Sequence, residues 1–587
     1  MLALRLQNAY DIVVDDKGVI NLILGGHVSQ KVEDLQQAAN RIERQIKSPS
    51  VTLILFLASI GAIIYLGYLI KPEFRGDPLP YTLALTAEIF IIFQGLMAFW
   101  TILSGRFNPR GYEYHHAQDR LFAGQTGGKS AVKTINENTA DIARRIPMEL
   151  NKKPVSIDVF IPVYGEPIED IRDTAIAARD AYGLHKTFIL DDGKSDAVEA
   201  LAKKLKVGYI RRPTNQHAKA GNINFALSQT NGAFFLILDA DFVAEPNILY
   251  ETLPFFEDPE LAFVQTPQYY SNQTNFVSSA ASFMQHVFYS LIQAGKNKFN
   301  SSFCVGTNVV FRRSAVEEIG GIYQKSKSED IWTSLFLHEK GWKSIYIPTL
   351  LAVGKTPENL MAYSKQQLRW ATGSFEVFLR KNPLFVKKLS VDQRLQYLTT
   401  SSYYFVGFSV LLLLLLPPLQ IFFNLSPIST DIPVWQWALM YSGFYITQLV
   451  LAFYTMGGLK IKTLILANVS FPIYIKAFFN ALFRKDQAWK ATNAVGNYDS
   501  PFNYVRAQVY IFVFLFLTSL VGIAKALYTY ELSISLVWNI FNTIVFGYFV
   551  HIAVAEGRSL KRAEVKAKKI VVKQLPTQNI TPEGGIV

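Results

Sequence analysis
Six apolar stretches of membrane-spanning length, two before and four after a long charged block, constrain this chain more than any other feature. Val51–Ile70 and Tyr81–Leu103 come first; Tyr397–Phe423, Val434–Met456, Val505–Tyr528 and Leu532–Val554 follow. A helix needs roughly 20 mostly apolar residues to cross the hydrocarbon core. A further stretch, Leu464–Phe483, is apolar but holds Pro472 and Lys476; it is read as a helix lying at the interface, with a span as the alternative. The chain is 50% hydrophobic and 18% charged, too apolar for an ordinary soluble enzyme and too charged for a bare membrane bundle.

Basic residues set the orientation. Lys460, Lys462, Lys476, Arg484, Lys485 and Lys490 follow the fourth span. Arg558, Lys561, Arg562, Lys566, Lys568, Lys569 and Lys573 follow the sixth. The connector Leu425–Pro433 carries no Lys or Arg, and Lys71 and Arg75 are the minor counter-evidence. Positive residues stay inside, so both termini and the central block are expected in the cytoplasm, beneath an inner or plasma membrane. The net charge of +12 is then mostly topological, and nucleic acid is excluded as a partner. Cys304 is the single cysteine, so no intrachain disulfide forms. The segment Met1–Ser50 lacks the pattern of a signal peptide. Glu88 lies within the second span, either as a functional group or as a side chain reaching the interface.

The expected organisation is an N-terminal cytoplasmic segment (1–50), two transmembrane helices (51–103) and a cytoplasmic block (104–396). Four transmembrane helices with the interfacial helix and a loop at about 457–502 follow (397–554), then a basic tail (555–587).

Within the central block, β-rich runs alternate with helical patterns. The runs are Ile157–Val163, Thr187–Asp191, Gly208–Arg211, Phe234–Asp239, Ala262–Thr266 and Ser344–Ile347. The alternation predicts a mostly parallel sheet with helices on both faces. Ligands on such sheets bind beyond the carboxyl ends of the strands. Asp191 and Asp239 each close an apolar run, and so stand at that edge.

Four polar motifs carry the chemistry. Asp239-Ala240-Asp241 can bring two carboxylates to one hard cation, Mg²⁺ or Mn²⁺, which typically binds through one or two carboxylates and substrate phosphates; alone it reads equally as a solvated turn. Asp191-Asp192-Gly193 suits a nucleotide's base or ribose, or a simple strand exit. Lys219, in His217–Asn222, and Glu166, in the loop after the first strand, are further nucleotide contacts. Glu329-Asp330 opens a helix over Ile331–Lys340, where Asp330 can take the proton of an attacking sugar hydroxyl; acidic residues at a helix start also serve as dipole partners. Gln366-x-x-Arg369-Trp370 offers a guanidinium to a departing diphosphate and an indole face to a sugar ring, or else an anchor at the interface.

In this order the motifs resemble those of the membrane-integrated, processive family 2 glycosyltransferases, within them the cellulose synthase group. The match is close over about Pro154–Lys381, with Ser328-Glu329-Asp330 standing where the family has T-E-D. The resemblance implies a GT-A-like domain joined to a membrane α-helical bundle. It implies an inverting synthase that extends and secretes a β-glucan from UDP-glucose. Cellulose is favoured over mixed-linkage and β-1,3-glucan; a lipid acceptor or another β-glycan (chitin or hyaluronan type) is the rival. Partners implied are a UDP-sugar donor, the growing β-glycan acceptor, the bilayer and accessory secretion proteins. Cys304, in Ser302–Asn308, is implied at the acceptor end, with a small buried residue as the alternative. Trp489-Lys490-Ala491-Thr492 is similar to the family's gating loop, with Trp489 and Thr492 as its marks. Arg558-x-x-x-Arg562 is similar to the arginine motif of a cyclic-di-GMP barrel, but only 25 residues follow, so it is read as membrane-surface charge.

Overall fold
The computed structural model describes residues 12–14, 20–22, 37, 44, 47–122, 144–326, 328–429, 431–484 and 500–574. Two apolar helices open the membrane block, α1 (Pro49–Ile70) and α2 (Pro78–Ser104). Glu88 is not exposed. It is buried on α2, where its carboxylate accepts the Tyr65 hydroxyl of α1 at 3.2 Å and also the hydroxyl of Tyr445.

The central block is built on a seven-stranded sheet. Its strands are β1 (Ile157–Val163), β2 (Lys186–Asp191), β3 (Gly208–Ile210), β4 (Phe234–Ile237), β5 (Leu261–Gln265), β6 (Val309–Arg312) and β7 (Lys343–Tyr346). They lie in the order β7-β5-β6-β4-β1-β2-β3. Every pairing is parallel except the two made by β6, which runs against β5 and β4. The mostly parallel sheet is therefore as expected, with one reversed strand that the sequence did not announce. All residues of β1 are buried, as a strand covered on both faces requires.

Helices α3 (Ile168–Arg179) and α4 (Asp196–Leu205) cover one face, where Ile171, Ala175, Val198 and Ala202 meet Val159 and Ile161. Helix α5 (Ala218–Gln229) covers the other, packing Ala220 and Ile223 with Phe160 and Leu190. An aromatic row crosses that face from Phe160 to Phe235, Phe311 and Phe263, with successive ring centroids 5.7, 5.2 and 5.5 Å apart. Such cross-strand pairs fix register; here Phe311 stands opposite both Phe235 and Phe263.

Two more helices complete the site: α6 (Glu329–Glu339) and α7 (Leu360–Arg380). The second membrane block contains α8 (Val406–Phe423), α9 (Val434–Met456), α10 (Ile461–Val469), α11 (Phe471–Leu482), α12 (Phe502–Thr529) and α13 (Ile534–Gln574). By length and composition six helical stretches among the described residues suffice to cross a membrane: Pro49–Ile70, Pro78–Ser104, Val391–Phe423, Ile461–Leu482, Phe502–Thr529 and Ile534–Arg562. This is a membrane protein. The stretch read as interfacial, around Pro472, is thus apolar enough to span; it breaks at Ser470 into α10 and α11, and Tyr363 of α7 meets Ser470 Oγ at 2.9 Å. Helix α9, expected to span, is not among these six, its apolar run being interrupted by Gln436, Gln448 and several tyrosines; it lies along α1 so closely that a Cβ on Gly61 would sit 2.2 Å from the Gly443 carbonyl oxygen. On the far side the two blocks join where Ser426 N–H donates to Asp77 Oδ2 at 2.7 Å.

Candidate active site
The carboxyl edge of the sheet collects the acidic groups. Just beyond β4, Asp239 N–H donates to Thr307 Oγ1 at 2.8 Å, which fixes the turn carrying Asp239 and Asp241. Lys219, in the first turn of α5, donates to the Asp239 carboxylate and, at 2.8 Å, to the Gly306 carbonyl. Burial, then the negative charges of Asp239 and Glu166, push the Asp241 carboxyl up to about 7. Burial also raises Glu166, although its Oε2 accepts the Tyr164 N–H at 2.6 Å. Asp239 and Asp241 put two carboxylates on one turn of the cleft, which fits the one or two that a hard divalent cation takes beside substrate phosphates; among the described residues no group of three or more His, Cys, Asp or Glu is placed to hold one.

Across the cleft, Glu329 and Asp330 open α6. Burial and the neighbouring Glu329 raise the Asp330 carboxyl to about 7, against the pull of Ile331 N–H, Arg369 and Lys219. The reversed strand β6 explains how the loop before it reaches this place: Val309 pairs with Ile237, so the residues preceding it run along the carboxyl edge. In that loop Gly306 has φ +86°, and a Cβ there would lie 3.6 Å from Lys219 Nζ and 3.8 Å from both Asp330 Oδ2 and Glu329 Oε1. Gly306 is thus the point at which Asp330, Glu329 and Lys219 converge. Cys304 is buried; its Sγ donates to the Asp330 carbonyl at 3.2 Å, and burial pushes its thiol up, so it braces the start of α6.

Gln366, Arg369 and Trp370 line the same cleft from α7. The distance between α7 and α6 is set by a small residue. A Cβ on Gly373 would meet Ser328 Oγ at 1.9 Å and Ser328 Cβ at 2.2 Å. Gly373→Val should therefore displace Arg369 and Trp370 from Asp330 and lower turnover by about 10²-fold, the scale of a misplacement near 1 Å. UDP release by the variant, with its thermal midpoint as control, checks this; wild-type turnover would show that the contact is soft.

The cleft has a volume of about 160 Å³ and is open to solvent. Glu166, Asp192, Lys219, Asp239, Asp241, Glu329 and Asp330 stand on its walls with the α7 residues. Asp191 does not line it. It is buried below, accepting from Ser195 N–H at 2.8 Å and Tyr209 Oη at 2.7 Å, because adjacent residues at a strand end face opposite ways. Asp192 faces the cleft while gripped by Arg212, whose Nε and Nη2 reach its two oxygens at 2.5 and 2.6 Å. Arg212 also donates to the carbonyls of Gln216 and Ala218, which locks the turn leading to Lys219. Arg212 was not singled out from sequence, though the basic pair after β3 was an available signal. Gly306 and Thr307 lie in the segment Ser302–Asn308, which the resemblance marked for Cys304 and not for these two. Trp489 and Thr492 lie outside the described residues.

Residues 234–456 match the family described as Glycosyl transferase family group 2. The UDP-forming cellulose synthase catalytic subunit of Pseudomonas fluorescens (strain SBW25) is 29% identical over 484 residues, which cover 76% of this chain and 63% of that protein. The corresponding subunit of Xanthomonas axonopodis pv. citri (strain 306) is 34% identical over 277 residues, covering 44% of this chain and 38% of that protein. The chain thus spans less than two thirds of the length of these relatives. A solved mannosyltransferase from Pyrobaculum calidifontis, in complex with GDP-Man and Mn²⁺, matches with a TM-score of 0.43 at 14% identity over 68% of this chain and 99% of that one. The resemblance to the cellulose synthase group that the motif order implied is upheld.

Proposed function
We propose that this chain, a cellulose synthase-like glycosyltransferase of family 2, extends a β-glucan from UDP-glucose at the cytoplasmic face of a membrane and passes it outward. One observation carries the reading: the carboxylates Asp239 and Asp241, the buried carboxyl of Asp330 and the Arg369–Trp370 pair share one cleft. That cleft is walled by a helix that packs, through Phe375, on Phe405 and Phe478 beside the second membrane block, with centroids 4.8 and 5.4 Å apart.

Transfer makes one bond and breaks one. The acceptor's hydroxyl oxygen bonds to C1 of the donor glucose as the bond from C1 to the diphosphate breaks; the hydroxyl proton goes to Asp330 and UDP departs. Attack opposite the leaving group turns an α-linked donor into a β product. Asp239 and Asp241 are the residues that hold Mg²⁺ or Mn²⁺, which when bound supplies positive charge to the diphosphate. Arg369 and Lys219 add fixed positive charge on the same side, worth most where water is excluded. Asp192 and Glu166 face the nucleotide, and Asp191 supports that wall from below. Trp370 holds the sugar at the acceptor side, with Gln366 beside it.

Incubating the purified protein with a panel of UDP-sugars, then digesting the product with linkage-specific glucanases, tests the reading. A cellulase-sensitive polymer from UDP-glucose is expected; a lipid-soluble monoglycosylated product would replace it with a lipid-glycosylating activity. Trp370→Ala should lower polymer extension about tenfold more than donor hydrolysis, since stacking on a sugar is its role. Equal losses in both would make Trp370 an anchor only.

A further inference from the structure
The last membrane helix continues past its apolar run, and there it meets the catalytic helix. Both oxygens of Glu556, on α13, accept the N–H of Leu360, at 3.2 and 3.1 Å. Leu360 is the first residue of α7 and is fully buried. The first amides of a helix have no acceptor within it. The helix's own cap, Asn359, serves Ala362 at 2.8 Å, so Glu556 fills a place the local sequence leaves open. A carboxylate there also faces the positive end of the helix dipole.

Two independent contacts mark the same junction. A Cβ on Gly557 would lie 3.5 Å from Cγ of Pro501, at the start of α12. One turn into α7, the Lys365 ammonium stands 5.5 Å from the ring centre of Tyr504 on α12. The beginning of α7 is thus held by both final membrane helices, while Gln366, Arg369 and Trp370 lie immediately beyond.

We propose that Glu556 is a positioning residue: it ties the N-terminus of α7 to the last membrane helix and so sets where Arg369 and Trp370 stand relative to Asp330. The inference rests on the transferase reading above. The proposed metal and nucleotide contacts sit on the sheet edge and α5, while Arg369, on α7, meets charge that grows on the diphosphate as it departs, so loosening α7 impairs the chemical step more than donor capture.

The test uses the full chain in detergent or nanodiscs, with Glu556→Ala, Glu556→Gln and wild type. UDP release against UDP-glucose concentration gives kcat and KM, and hydrogen exchange is followed over residues 360–370. For Glu556→Ala we expect kcat to fall about tenfold, donor KM to change by less than about twofold, and exchange at the start of α7 to rise. Glu556→Gln keeps a carbonyl acceptor for Leu360 N–H and should recover most of the rate and the protection. Wild-type kcat and exchange in Glu556→Ala would overturn the proposal. So would a loss in Glu556→Gln as deep as in alanine with a fallen thermal midpoint, which marks a role in folding alone. If the wild type releases UDP from no UDP-sugar, the transferase reading fails by itself, and the exchange data still decide whether Glu556 holds α7.

Discussion
Asp330→Asn is expected to remove transfer almost entirely, by about 10²–10⁴-fold, while UDP binds nearly as well as to the wild type. The carboxyl is desolvated and crowded by Glu329, which lifts it to about 7. A base so poised is ionised often enough to accept a proton at neutral pH and basic enough to want one. Asparagine keeps the shape and the helix start but cannot take the proton. The metal pair and the nucleotide wall lie on other elements, so donor affinity is spared. The same carboxyl gives a pH signature. Below its pKa it carries the proton it should be receiving, so kcat at saturating donor and metal should fall as pH drops through about 7. Asp241 is also raised to about 7, but its protonation weakens metal and donor binding and is read in KM. UDP titration calorimetry and a kcat profile from about pH 5.5 to 8.5 separate the two. Near-normal turnover in Asp330→Asn would remove Asp330 from the role of base.

The general plan of this site was open to sequence reasoning because its signals are local. An apolar run ending in an acidic residue marks both a parallel strand and the edge where ligands gather; β2 with Asp191 and β4 followed by Asp239 fit that reading. The remainder depends on contacts between distant segments. Val309–Arg312 is four residues long and shows no direction of its own; it is reversed because the loop before it must reach Asp239 and Lys219. The choice between Asp191 and Asp192 was equally hidden. It is made by Arg212, which is twenty residues on and holds Asp192 at the cleft. Gly373 looked like any helical glycine until Ser328 stood against it. Glu88 could be flagged as an ionisable group in a span, but its two phenol partners come from helices that the sequence does not pair.

The second large effect concerns the metal. Asp241→Asn should cost at least about 100-fold in activity at limiting Mg²⁺ or Mn²⁺, since even outer partners of metal ligands are worth 10–100-fold. It should raise the donor KM along with the metal requirement, because a cation held at Asp239 and Asp241 would supply positive charge to the donor's diphosphate. The substitution is mild for the fold. Burial, Asp239 and Glu166 hold this carboxyl near 7, so at neutral pH it is already half protonated, and asparagine imitates that form. A carboxyl whose folded pKa exceeds its unfolded value of about 3.8 contributes stability that is full below that value and lost as pH rises through about 7. Metal-free wild type should therefore lose stability relative to Asp241→Asn across that window, and at pH 8 the variant should melt at the same temperature or higher. A variant that melts lower would mean lost packing, and its lost activity would then say nothing of a cation. Chelation supplies the matching arm: wild type in excess chelator should stop releasing UDP and recover with added Mg²⁺ or Mn²⁺. Full activity in chelator would leave Asp239 as a partner of Lys219 and remove both carboxylates from a cation site.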